Sequence, residues 1–214
     1  TSGNTPRASR VLALLLLPGL LQAADFDLRT VLDGVARHAG ATVGFVEVRY
    51  SRLLKAPLVV TGTLERGADG SLVRRVADPY RETTVIRGND VSIEREGAQA
   101  RRFSLDRAPE LQGLLGSIDG MLRGDAGRLN RSFAVTLEGV AERWQVRLVP
   151  NDERLRRRLS DVSVYGSDAT ARCFAMNQPS GDASIIALDA PAPAALPHAQ
   201  RGDLEAWCRE ASHP

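Results

Sequence analysis

From residue 43 onward, hydrophobic and polar positions alternate along the chain in short runs broken by turn formers. Val43–Tyr50 sets Phe45, Glu47 and Arg49 on one side and Val46, Val48 and Tyr50 on the other, which is the side-chain period of a strand. Leu58–Glu65 repeats this, with Leu58, Val60, Gly62 and Leu64 opposite Val59, Thr61, Thr63 and Glu65. The pattern continues through Leu72–Ala77, Thr83–Ile86, Val91–Arg95 and Ala100–Leu105, and resumes in Ser132–Leu137, Arg143–Val149, Leu159–Tyr165, Ala171–Met176 and Ser184–Leu188. Gly67-Ala68-Asp69-Gly70, Asp78-Pro79, Gly88-Asn89-Asp90 and Glu96-Gly97 tolerate turn geometry or cannot continue a ladder. The spacing predicts about eleven antiparallel strands, each with one face for water and one for the interior, curled into a barrel or half-barrel.

Helical periodicity appears in three places. Residues 27–39 put Leu28, Val31, Leu32 and Val35 on one stripe, with Asp27 placed to cap the first turn. Pro109 opens a central helix on which Leu111, Leu114, Leu115, Ile118 and Leu122 recur, ending at Gly124-Asp125 or Gly127. A short turn of helix fits Asp152–Arg158. Beyond Asp189 the run APAPAALP, residues 190–197, reads as an extended spacer before a short helix carrying Leu204, Trp207 and Cys208. The predicted organisation is a signal segment at 1–24, one mainly β domain with helices (α+β) at 25–189, and a Pro/Ala-rich tail at 190–214.

The N-terminus and the charge narrow the setting. Arg7 and Arg10 precede Val11–Leu21, an uncharged, leucine-rich run followed by Gln22, Ala23 and Ala24, the form of a secretory signal cleaved after Ala23 or Ala24. The alternative is a retained anchor, but roughly 11 apolar residues fall short of the about 20 a bilayer span needs. The chain of 214 residues carries a net charge of +2 from 28 basic and 26 acidic side chains. Loss of Arg7 and Arg10 with the signal leaves 26 against 26, so charge gives no case for a nucleic acid or an anionic membrane as partner. The exported protein is expected in the periplasm, as a monomer. Cys173 and Cys208 would meet an oxidising compartment. They could pair there, or leave Cys173 buried in a strand and Cys208 unpaired in the tail.

Catalytic and metal chemistry find no support. His38, His198 and His213 are scattered, the two cysteines equally so, and no metal-ligand spacing results. Gly116-Ser117-Ile118-Asp119-Gly120 lacks the G-x-S-x-G form and lies in a helical pattern, and there is no phosphate-binding glycine loop. Arg123-Gly124-Asp125 and Arg201-Gly202-Asp203 are explained by helix ends and turns, and Arg154, Arg156, Arg157 and Arg158 by a solvated helix face. A hydrolase would need a nucleophile, acid or base constellation, and none is present. The expectation is a non-enzyme without cofactor or metal.

What remains is apolar sheet surface. The inward candidates are Leu58, Val60, Leu64, Leu72, Val76, Val85, Val91, Ile93, Phe103, Phe133, Val135, Leu137, Trp144, Val146, Leu148, Val162, Val164 and Ile185. Aromatic residues make up 5% of the chain, so a curved sheet lined by valine and leucine has limited means of filling its own concavity. An apolar pocket under a lid suits an apolar ligand, with about 0.8 kcal/mol gained per buried methylene. A well-packed β core is the alternative.

The order of "FVEVRYSRLLKAPLVVTGTLE", "VADPYRETTVIRGNDVSIE", "LQGLLGSIDGMLRGDAGRLNRSFAV" and "ERWQVRLVPND" resembles LolA-like outer-membrane lipoprotein carriers, in a divergent branch, over residues 28–188. The shared points are the pair of strands joined through Ala56-Pro57, Pro79 before the next strand, the Gly88-Asn89-Asp90 turn, the "RGD" end of the central helix, and Trp144–Pro150. The resemblance implies an incomplete antiparallel barrel closed by helices, whose cavity receives the acyl chains of lipoproteins crossing the periplasm from an inner-membrane donor to an outer-membrane acceptor. Better-known members carry a lid-latching arginine followed by proline; Arg66 here has no such proline, so the latch role is not carried over to it. Divergent relatives look like accessories to lipid-like or polyene-pigment assembly, which makes another acylated product an alternative cargo. On this reading Leu111, Leu114, Leu115, Ile118 and Leu122 form the lid, and Phe133, Val135, Trp144, Val146, Val162 and Val164 the cavity wall. The competing reading is a periplasmic structural or interaction domain with a filled core and no ligand.

Overall fold

The computed structural model describes residues 26–38, 42–105, 124–196 and 198–210. Alternation along the chain becomes one open antiparallel sheet of 11 strands, the incomplete barrel that the resemblance implies. The strands are β1 (Val43–Tyr50), β2 (Leu58–Arg66), β3 (Leu72–Asp78), β4 (Glu82–Arg87), β5 (Asp90–Arg95), β6 (Arg101–Ser104), β7 (Phe133–Val140), β8 (Arg143–Pro150), β9 (Asp161–Ser167), β10 (Thr170–Asn177) and β11 (Ala183–Leu188). Their order is β6-β5-β4-β3-β2-β1-β11-β10-β9-β8-β7, two meanders joined where β1 pairs with β11, and β6 and β7 are the open edges. Every predicted strand is present, with ends shifted by two residues or fewer except at Phe133–Val140, which extends farther.

Four α-helices accompany the sheet among the described residues: α1 (Leu28–His38), α2 (Ala126–Ser132), α3 (Glu153–Arg156) and α4 (Arg201–Arg209). The Asp27 carboxylate accepts from the Thr30 N–H at 2.8 Å and so caps α1, and this bond holds its pKa below the usual carboxylate value. Asp152 caps α3 in the same way, accepting from the Arg154 and Leu155 N–H groups at 2.9 Å. Helix α2 is a departure from the sequence reading, which ended helical structure at Gly124-Asp125 or Gly127. Gly124 does leave the helical region, with φ of 73°, but Gly127 lies within the first turn of α2, where its N–H needs no intrahelical partner.

The face toward α1 and α2 is the inner face. Val31, Leu32 and Val35 of α1 and Leu129 of α2 bury against Phe133, Trp144, Val146, Leu148, Val162 and Val164, with Leu155 and Leu159 closing one end. Room for the Trp144 indole comes from the residue paired with it, Gly166: a β-carbon there would collide with the ring. The Trp144 Nε1–H donates to the Asp168 carbonyl at 3.0 Å, so the buried ring keeps its polar atom satisfied.

The outer face is covered as well on β1 and β9 to β11, contrary to the expectation of one watery side per strand. Residues 190–196 and 198–210, part of the stretch 190–214 read from sequence as a tail, run back over the sheet, and Leu196, Leu204 and Cys208 bury against Val46, Val48, Tyr165, Cys173, Ala175, Ile185 and Ala187. A Cys173–Cys208 disulfide, with Cα atoms 5.8 Å apart, fastens α4 there. The oily side of β1 therefore belongs to α4, and the side holding Phe45, Glu47 and Arg49 is the inner one. Two inward candidates change sides: Ile185 faces α4, and Val85 faces away from the row of Thr84 and Ile86. Ile185 and Ile186 are adjacent, so alternation alone could not choose between them.

Candidate functional site

Of the predicted wall, Phe133, Trp144, Val146, Val162 and Val164 are 1–3% exposed and belong to the cluster packed under α1 and α2, with Val135 partly buried beside them. The predicted lid residues Leu111, Leu114, Leu115, Ile118 and Leu122 lie outside the described residues.

A second apolar patch lies on the inner face farther along the sheet. Phe45, Val60 and Val76 are buried there, with Leu58, Leu64, Tyr80, Ile186 and Leu188 partly buried around them. Described helices place their main contacts on β7 to β11, away from this patch. Gly62 lets β2 approach β3 at a register shift: a β-carbon there would strike the Arg75 carbonyl and sit 3.0 Å from the Phe45 ring.

Charged groups thread this patch. Glu47 is 4% exposed, and its carboxylate accepts from Arg49 at 2.8 and 3.0 Å, from the Ser184 hydroxyl at 2.6 Å, and from Arg74. Burial alone would raise the Glu47 pKa; the hydrogen bonds from Arg49 and Ser184 and the charges of Arg74 and Arg49 outweigh it and hold the carboxyl below its ordinary value. The same hydrogen bond raises the Arg49 pKa against the effect of burial. Arg74 also lies over the Phe45 ring at 4.8 Å and 3.9 Å from Glu82. Glu82 is 3.9 Å from Arg95, whose guanidinium stacks on the Tyr80 ring at 3.9 Å, and Arg49 donates to the Tyr80 hydroxyl at 3.4 Å.

Sequence reasoning did not single out this row, although the signal was there. Arg74 sits between Leu72 and Val76, both inward candidates, so the period of two already turned it inward. An open cleft of about 680 Å³ lies at this end of the sheet, lined mainly by residues of the opposite face, Arg75, Thr83 and Glu94, and by Arg81, Glu96 and Ala98 of the adjoining turns.

The outer face holds a different polar cluster, beneath α4. Asp161 accepts from Asn177 at 3.0 Å and Arg147 at 3.3 Å, and Arg201 ties α4 to Asn177 at 2.7 Å. Tyr50 donates to the His198 carbonyl at 3.1 Å, and burial together with Glu205 and Asp203 pushes its pKa up to about 12. These contacts hold α4 in place and assemble no nucleophile with a base. No group of three or more metal-ligating side chains occurs among the described residues, and no helix among them is long and apolar enough to cross a membrane.

Comparison with solved structures gives distant likenesses of fold. A LolA superfamily protein from Nitrosomonas europaea is 10% identical, with 75% of this chain and 90% of that one covered at a TM-score of 0.39. The Pseudomonas aeruginosa MucA/MucB complex gives 13% identity and the same TM-score, covering 78% of this chain and 59% of that one, so this chain spans about three fifths of its length. LprF from Mycobacterium bovis is 11% identical, with 77% and 93% covered and a TM-score of 0.32. No curated protein sequence gives a significant match. The family match is far broader than the sequence resemblance over 28–188: covering residues 21–211, it shows that the chain belongs to the outer membrane lipoprotein carrier protein LolA-like family, whose members are periplasmic binding and carrier proteins.

Proposed function

We propose that this protein is a periplasmic carrier that shields the acyl chains of a lipoprotein or lipid-like cargo and moves it from an inner-membrane donor toward an outer-membrane acceptor. The observation that carries the reading is the open sheet with an apolar inner patch, Phe45, Val60 and Val76 ringed by half-buried Leu58, Leu64, Ile186 and Leu188, on which described helices place no main contact. The partly exposed rim of this patch gains from hydrocarbon, and a carrier needs its cargo held weakly enough to hand over. Leu111, Leu114, Leu115, Ile118 and Leu122 serve as the lid. Phe133, Val135, Trp144, Val146, Val162 and Val164 serve as the wall that cargo reaches when α1 and α2 lift. Export uses the N-terminal signal segment.

One observation favours the second reading, a structural or interaction domain with a filled core: five of the wall residues are already packed under α1 and α2. Titration with a fluorescent fatty-acyl probe separates the two. A carrier gives saturable binding reversed by a competitor lipid, with Leu115→Arg lowering transfer more than stability. A filled domain gives no saturable signal, and that result would remove the carrier reading.

A further inference from the structure

The inner face is not uniformly greasy. From β7 to β10 its side chains are Phe133, Trp144, Val146, Leu148, Val162, Val164, Phe174 and Met176, all apolar. From β11 to β5 the same face carries Ser184, Glu47, Arg49, Arg74, Glu82 and Arg95, each at an inward register position; Ser184, Arg49 and Arg74 all bind Glu47, and Arg74 leads on to Glu82 and Glu82 to Arg95 by ion pairs. Burying such groups costs free energy that a surface serving hydrocarbon alone would avoid. The apolar patch of Phe45, Val60, Ile186 and Leu188 runs beside this row, so the face is amphipathic.

The sign of the row is positive. Two carboxylates, Glu47 and Glu82, meet three guanidiniums, Arg49, Arg74 and Arg95. Glu47 takes up Arg49 and Arg74 at close range. Arg95 has the weakest ionic tie: its ion pair to Glu82 is long, at 3.9 Å, its side chain is 47% exposed, and its guanidinium otherwise rests on the Tyr80 ring. Of the charges near it, Arg75 and Glu94 lie on the opposite face of the sheet, Arg75 pairing with Glu65 at 2.5 Å, and Arg81 pairs with Glu96 at 3.9 Å.

Resting on the acyl-carrier reading, we propose that this row receives the polar end of the cargo, and that the ligand class is an amphiphile with an anionic carboxylate or phosphate head. The methylenes lie along the partly exposed rim of the patch, Leu58, Leu64, Ile186 and Leu188, and the anionic oxygens accept from the Arg95 guanidinium, whose planar fork suits both heads.

The test uses the full chain and fluorescent amphiphiles of one chain length bearing a carboxylate, a phosphate monoester, an alcohol or a trimethylammonium head. Both anionic probes are expected to bind about tenfold more tightly than the alcohol, with the ammonium weakest. The tighter of the two anionic probes identifies the source of the head. Arg95→Gln brings the anionic probes to the affinity of the alcohol and leaves the alcohol unchanged, and Arg95→Lys keeps part of the preference. Equal binding of anionic and neutral heads, or an equal loss for all heads in Arg95→Gln, overturns the inference while the carrier reading stands. Failure of every probe to bind removes both.

Discussion

The two ends of the sheet are built from the same local pattern and end in different surroundings. In β9 all seven residues are buried, because α1 and α2 press on one face and α4 on the other. In β4 no residue is buried, and in β6 three of four are exposed. Alternation fixes that a strand has two faces; the helices that reach it decide how dry each face becomes. The half from β7 to β11 is thus a platform packed under α1 and α2, and on β9 to β11 under α4 as well; the inner face from β1 to β6 is a wall on which described helices place no main contact, where local opening is cheapest. A carrier needs both, a rigid base and a surface that gives way to cargo.

Truncation in the platform should have the largest effect. Phe133→Ala removes a ring that is 1% exposed, held by α1 and α2 on one side and Pro150 across the strand pair, and should cost about 3–5 kcal/mol in urea unfolding. A loss below about 1 kcal/mol would mean that the platform is loosely packed, and the contrast between the halves would fail. Removing the disulfide with Cys173→Ser and Cys208→Ser comes next. The bond joins residues 35 apart in sequence, for which loop-closure entropy gives about 3–4 kcal/mol. Because α4 touches the platform side, hydrogen exchange should speed up in β9, β10 and β11 and stay unchanged in β4 and β5.

The wall keeps its order by a different means, and Glu47 is where that shows. Glu47→Gln leaves Arg49 and Arg74 without their shared charge and should cost about 2–3 kcal/mol, less than a sealed ion pair because both guanidiniums keep some access to water. The folded-state pKa of Glu47 lies below its ordinary 4.5, so its contribution is complete above that value and drains away as pH falls through the folded pKa. Wild-type stability should therefore drop more steeply below pH 4.5 than that of Glu47→Gln. Parallel curves would show that the carboxylate contributes nothing specific to the wall.

Strand positions were legible because turn formers and a period of two act locally, and Val43–Tyr50 and Leu58–Arg66 are found where the pattern puts them. Which face of β1 is inner was not. Val46, Val48 and Tyr50 read as the oily side of β1, yet what covers them is a helix more than a hundred residues away in sequence, and no local signal announces that contact. The Cys173–Cys208 pair was the one pointer to it, and spacing could not decide whether the two meet. The wall residues of β7, β8 and β9 were placed correctly on the inner face, but their packing under α1 and α2 depends on where those helices dock, which is a tertiary fact. The ionic row was hidden for another reason: charged residues on a strand are read as outward by default, and Glu47, Arg49 and Arg74 break that default together because each compensates the others.

The smallest predicted effect gives the contrast its sharpest form, because it uses one residue type in both halves. Leu148 on β8 and Leu64 on β2 both sit on the inner face, the first buried at 1% exposure and the second partly exposed at the rim of the Phe45 patch. Leu148→Ala leaves a hole that surrounding α1 and α3 side chains cannot fill, so it carries a transfer cost and a cavity cost, about 2–5 kcal/mol together. Leu64→Ala removes the same atoms from a place where water and the long Arg74 side chain across the strand pair can close the gap. Only part of the transfer cost remains, about 1 kcal/mol. Adding a saturating acyl probe should then widen the Leu64→Ala loss, since bound hydrocarbon would rest on that side chain, and change the Leu148→Ala loss less, because α1 and α2 must lift before cargo reaches it. Equal losses for the two leucines without probe would mean that the wall is as closely packed as the platform, and that cargo has no softer side by which to enter.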